Sequence, residues 1–95
     1  GPVAPSTYDR VDELLAFHET RLDQCLTSLA ARGSVTSIVV ARDLGWTRHE
    51  RAFEDLDVFS QGMAAMETKA HLDLLVARGQ ATSVDEADGV VYSVV

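Results

Sequence analysis

Three histidines, His18, His49 and His71, are the residues best suited by type to hold a metal ion or move a proton. Zinc-like sites need ligands that converge, commonly two on one helix at i and i+4 or two in a short turn. None of the three has a neighbour at such a spacing, so His18 and His71 read as polar members of packing or contact faces and His49 as a solvated residue of a helix start. A single cysteine, Cys25, excludes an internal disulfide and a cysteine-based zinc cluster, and it fits packing in a reducing compartment. Adjacent carboxylates such as Asp12-Glu13 and Glu54-Asp55 diverge around a helix and read as solvated faces. There is no glycine-rich phosphate loop and no nucleophile paired with a base at a motif spacing. The chain alone is expected to be non-catalytic, with no cofactor of its own.

The elements that must position these residues follow from periodicity. Residues 1–7, GPVAPST, hold both prolines and no repeat, and read as a linker or tag remnant ahead of one domain over 8–95. From Tyr8 to Arg32, Val11, Leu14, Leu15, His18, Leu22, Cys25, Leu26 and Leu29 recur at three- and four-residue steps, the stripe of an amphipathic helix that Gly33 stops. Thr36 or Ser37 caps a short helix carrying Ile38, Val39, Ala41 and Leu44 up to Gly45. Thr47-Arg48-His49-Glu50 has the form of a capping box, which predicts a third short helix bearing Phe53 and Leu56. A fourth runs from about Val58 to Arg78, with Phe59, Met63, Met66, Leu72, Leu75 and Val76 offered to the core and Gly79 as its end. Two β-prone runs, Gln80 to Val84 and Val90 to Val94, flank Asp88-Gly89 as a hairpin.

The sum is a mostly α chain with a small β-hairpin, in the order α-α-α-α-β-β, which is the pattern of a winged helix-turn-helix. Such folds lay one helix in the major groove and touch the backbone with the hairpin, so both should be basic. Here 15 acids outweigh 8 bases for a net charge of −7, and the hairpin tip is Asp85-Glu86-Ala87-Asp88, which repels phosphate. Duplex DNA is therefore not the expected partner. Trp46, next to Gly45, reads as a core plug between short helices because stacking sites for bases come with a basic groove. No apolar run approaches the roughly 20 residues that cross a bilayer. A soluble, cytoplasmic domain without membrane contact is expected.

The stretch YDRVDELLAFHETRLDQCLTSLA resembles the segment that follows the catalytic domain in metallo-β-lactamase-fold hydrolases with a C-terminal winged helix, through His18, Arg21, Gln24 and Leu29. AHLDLLVARGQA is similar to that family's long-helix ending at Ala70, His71, Leu72, Leu75 and Gly79. The family's His-x-His-x-Asp-His metal motif is absent from this chain, and only Gly1-Pro2-Val3 looks like a trace of the turn that precedes the winged helix. The resemblance implies a non-catalytic accessory domain that packs on the catalytic domain, shapes its substrate cleft or joins a dimer interface. It implies zinc or another divalent metal in the parent and places His18, Arg21 and His71 on the interdomain or cleft-facing surface. A free-standing winged-helix DNA-binding regulator and a homo-oligomerisation module are the competing readings.

Overall fold

The computed structural model describes the backbone of residues 7–46 and 49–95, and the side chains within those ranges from residue 17 onward. Helix α1, Thr7–Arg32, is followed by a two-residue strand β1, Val35–Thr36, and by α2, Ser37–Asp43. A 3-10 turn, Phe53–Asp55, leads into α3, Val58–Ala77, and strands β2, Ala81–Glu86, and β3, Gly89–Val94, complete the domain. The chain is thus mostly α with a small antiparallel sheet, in the order β1-β3-β2.

The long helices follow their periodicity. Leu22, Cys25 and Leu29 sit at helical spacing on α1 and are fully or almost fully buried, while Leu26 packs at the edge of the core. The more N-terminal predicted positions Val11, Leu14 and Leu15 fall outside the described side chains. α1 ends where Gly33 turns left-handed (φ +89°) and its N–H closes on the Leu29 carbonyl at 2.8 Å, a conformation that costs glycine nothing. On α3, Ala64, Thr68, His71, Leu72 and Leu75 face inward. The buried Thr68 hydroxyl donates to the Ala64 carbonyl at 2.8 Å, which removes the penalty of an unpaired polar atom. Asp57 caps α3 by accepting from the Ser60 N–H at 2.7 Å.

Three expectations are corrected. The third helix expected from Thr47 is replaced by a tight loop. Trp46 and Arg51 exchange backbone hydrogen bonds at 2.8 and 2.6 Å, which returns the chain on itself instead of coiling it. Glu50, the far end of the expected capping box, lies at φ +54°, outside helical space. Thr47 and Arg48 lie outside the described residues. Phe53 is still buried and Leu56 partly so, but on a single 3-10 turn. A β-carbon on Gly45 would meet the exposed Glu50 side chain, so a larger residue there would displace that carboxylate.

The second correction is β1, which no sequence pattern suggested. Val35 pairs with Tyr92 and Thr36 with Val91, so β3 is the central strand and Tyr92 is fully buried. The hairpin is as expected, except that Glu86 pairs with Gly89 and the turn residues are Ala87 and Asp88. The four-helix order is therefore replaced by helix, strand, helix, 3-10 turn, helix and hairpin. The third correction concerns α3: Phe59, Met63 and Met66 point outward instead of entering the core.

Candidate functional site

α1 and α3 cross at two histidines that sequence spacing kept 53 residues apart. His18 Nδ1 lies 3.1 Å from His71 Nε2, and His71 Nδ1 lies 2.8 Å from the Glu67 carbonyl oxygen. A carbonyl only accepts, so His71 carries its proton on Nδ1 and offers the Nε2 lone pair. His18 must then donate through Nδ1–H, which leaves its own Nε2 as an acceptor on the exposed side of the pair. The rings are 5.2 Å apart and tilted by 31°. They border a surface groove of about 300 Å³ between the two helices, completed by Ala70 and Leu74. Chemically the pair is a chain of fixed tautomers, and among the described residues the other walls of the groove are apolar.

Two imidazoles alone do not make a metal centre, and among the described residues no three His, Cys, Asp or Glu side chains converge. His49, the remaining histidine, is exposed on the loop after Trp46, away from the pair in sequence and in secondary structure.

Arg21, one turn along α1 from His18, is not exposed to a cleft in this chain. It is only 7% exposed, and its Nη1 donates to Gln24 Oε1 at 3.0 Å and to the Gly45 carbonyl at 3.1 Å. Its guanidinium stacks 4.5 Å from the Trp46 ring and 5.6 Å from that of Phe17. Trp46 in turn donates from Nε1 to the Ala41 carbonyl at 2.8 Å, as a buried core plug. Arg21 thereby pins α1 to the segment after α2, with its Nε buried and without an acceptor among the described residues.

Two further clusters escaped sequence reasoning. Lys69 and Asp73, an i,i+4 pair on α3, meet Tyr92 from β3. Lys69 Nζ is 2.8 Å from the Tyr92 hydroxyl, which donates to the Asp73 carboxylate, and the ammonium is 3.3 Å from the same carboxylate. Burial holds the Tyr92 hydroxyl above the ordinary phenol range, with the Asp73 hydrogen bond adding to it, and the Tyr92 contact holds Lys69 above its own. A phenol kept protonated is the reverse of an activated one. The i,i+4 spacing was the only signal the sequence carried.

The second cluster joins α1 to α2. Asp43 receives two hydrogen bonds from Arg32, each at 2.6 Å, and one from the Ser28 hydroxyl at 2.7 Å. The Arg32 guanidinium holds the Asp43 carboxyl below its usual range despite partial burial. A carboxylate so weakly basic cannot activate the serine beside it, so this is a strut between helices. Cys25 is equally inert: burial pushes its thiol up to about 11, and only the thiolate reacts.

The most unusual surface is the outer face of α3. Phe59, Met63, Met66, Ala70 and Leu74 follow at steps of four, three, four and four residues and form one exposed apolar stripe that ends at the His18–His71 groove. Phe59 is 77% and Met66 70% exposed. With Leu72 and Leu75 buried on the opposite side, α3 is apolar on two faces, a property of helices covered on both sides. No helix of the described residues is long and apolar enough to cross a membrane. No family model, curated protein or solved structure matches the chain.

Proposed function

We propose that this chain is a non-catalytic winged-helix accessory module of a metallo-β-lactamase-fold hydrolase, acting by contact with protein. The order α1-β1-α2-α3-β2-β3, with β3 between β1 and β2, supports the winged-helix reading: α2 and α3 take the places of the helix-turn-helix and β2-β3 that of the wing. The observation that carries the functional reading is the outward face of α3. In a DNA reader this helix lies in the major groove. Here it presents phenylalanine, methionine and leucine, its one lysine is engaged by Asp73 and Tyr92, and the wing tip carries Asp85, Glu86 and Asp88. An apolar face of this kind is a contact surface for protein, and phosphate would meet repulsion. The DNA-binding regulator shares this element order, but the charge and apolarity of the α3 face weigh against it.

On this reading the α1 side of the α1–α3 crossing, where Phe17 is exposed, adjoins the parent's catalytic domain, and that domain supplies every ligand of the divalent metal. His71 and Arg21 act from beneath, holding the crossing and the loop at Trp46 in place. Metal analysis tests this. The isolated chain is expected to bind no stoichiometric zinc, whereas the complete gene product retains about one or more ions per chain and carries a His-x-His-x-Asp-His motif. One tightly bound ion on the isolated chain, or a complete gene product without that motif, would overturn the assignment.

A further inference from the structure

We infer that the outer face of α3 is a two-fold contact between two copies of this chain, in which Phe59 of each copy enters the His18–His71 groove of the other. The inference rests on the accessory reading and names the partner of one of its faces. Its first ground is extent. Phe59, Met63, Met66 and Leu74 are all large and exposed, and Val58 extends the apolar surface at the start of the helix. With a side chain of roughly 150–250 Å² for the aromatic member, they leave on the order of 600 Å² of apolar surface open. A stable dimer buries about 800 Å² per partner, while a typical monomer exposes only a few hundred in one patch.

The second ground is self-complementarity. The stripe has its largest projection, Phe59, at one end and a hollow, the groove of about 300 Å³ lined by His18, Ala70, His71 and Leu74, at the other. A two-fold axis crossing α3 between Met66 and Glu67 sets Phe59 opposite Leu74 and Met63 opposite Ala70. Each projection and each hollow then lies about 11 Å from the axis at 1.5 Å per residue. Both ends mate in one operation, as an isologous interface requires: the same patch on each copy, large against small. A one-sided partner would need its own matching projection and hollow. The small side chain of Ala70 opposite Met63 also lets antiparallel helices approach closely. The α1 side, around Phe17 and the loop at Trp46, stays available to a catalytic domain.

Sedimentation velocity across a micromolar concentration series tests the contact, with the wild-type chain expected to pass from monomer to dimer. Phe59→Asp removes the projection and Ala70→Trp fills the hollow, and each is expected to raise the dimer dissociation constant at least about tenfold. Their melting curves, taken where the wild-type chain is monomeric, should stay near its own. Val84→Asp, on the exposed edge of β2, should leave association unchanged. Met66→Cys, beside the axis, should form a disulfide-linked dimer on oxidation, because buried Cys25 does not compete. A chain monomeric throughout, with the face left to another protein, overturns the inference. So does a dimer indifferent to Phe59→Asp and Ala70→Trp, which would use another surface. Neither outcome touches the metal analysis that decides the accessory reading.

Discussion

At the residue scale, His71 holds the α1–α3 crossing, since its two ring nitrogens serve His18 and the Glu67 carbonyl from a nearly buried position. His71→Ala should destabilise the domain by about 1–3 kcal/mol in urea titrations, the range for a lost buried polar partner. A change below a few tenths would show that the contact is incidental. Cys25 should resist Ellman's reagent in the native state and react fully once unfolded, because its thiol stays protonated near neutral pH. Asp43 has a folded carboxyl below its unfolded value. Its contribution is therefore complete above the ordinary carboxylate range and disappears as pH falls through the lower folded value. Acid titration of stability should show a step that Asp43→Asn removes. The sequence singled out His18, Arg21 and His71 but gave no means of joining them. Helical spacing links only neighbours on one helix, whereas His18 meets His71 through a crossing of two, and Arg21 turned inward because Trp46 and Gly45 offer it a ring and a carbonyl.

At the element scale, α1, α2, α3 and the hairpin were legible because each is written in local terms: an apolar step, a stop at glycine, a run of β-branched residues. The two failures have the same origin. β1 is two residues long, too short for any alternation, and exists because β3 offers a partner strand. The segment 46–51 carries the letters of a capping box, but Trp46 and Arg51 pair through their backbones instead. The two faces of α3 were illegible for a further reason: methionine and phenylalanine at helical spacing look alike whether they meet this domain's core or another protein. Mutation separates the faces. Leu72→Ala should cost about 2–5 kcal/mol by opening a cavity. Met63→Ala, measured on monomer, should change stability by no more than about 0.5 kcal/mol. Equal losses at both positions would contradict the division. Asp57→Ala should lower the melting temperature by removing the α3 cap.

At the scale of the whole molecule, a net charge of −7 is spread over a small, mostly α domain with a three-stranded antiparallel sheet. Among the described residues, ion pairs join Arg32 to Asp43, Arg42 to Glu54, Lys69 to Asp73 and Arg78 to Glu19. On the alkaline side, Tyr92 and Lys69 both have raised folded values. The unfolded chain loses those protons first, so stability should fall as pH rises past about 10, and less so in Tyr92→Phe. An acidic charge distribution disfavours a phosphate backbone as the partner of α3. The proposal that the outer face of α3 contacts protein and not nucleic acid is met most directly by fluorescence anisotropy of a labelled duplex titrated with the chain at low salt. The expected signal is no greater than that of an acidic control protein, with no dependence on salt. Saturable binding that weakens steeply as salt is added would contradict it.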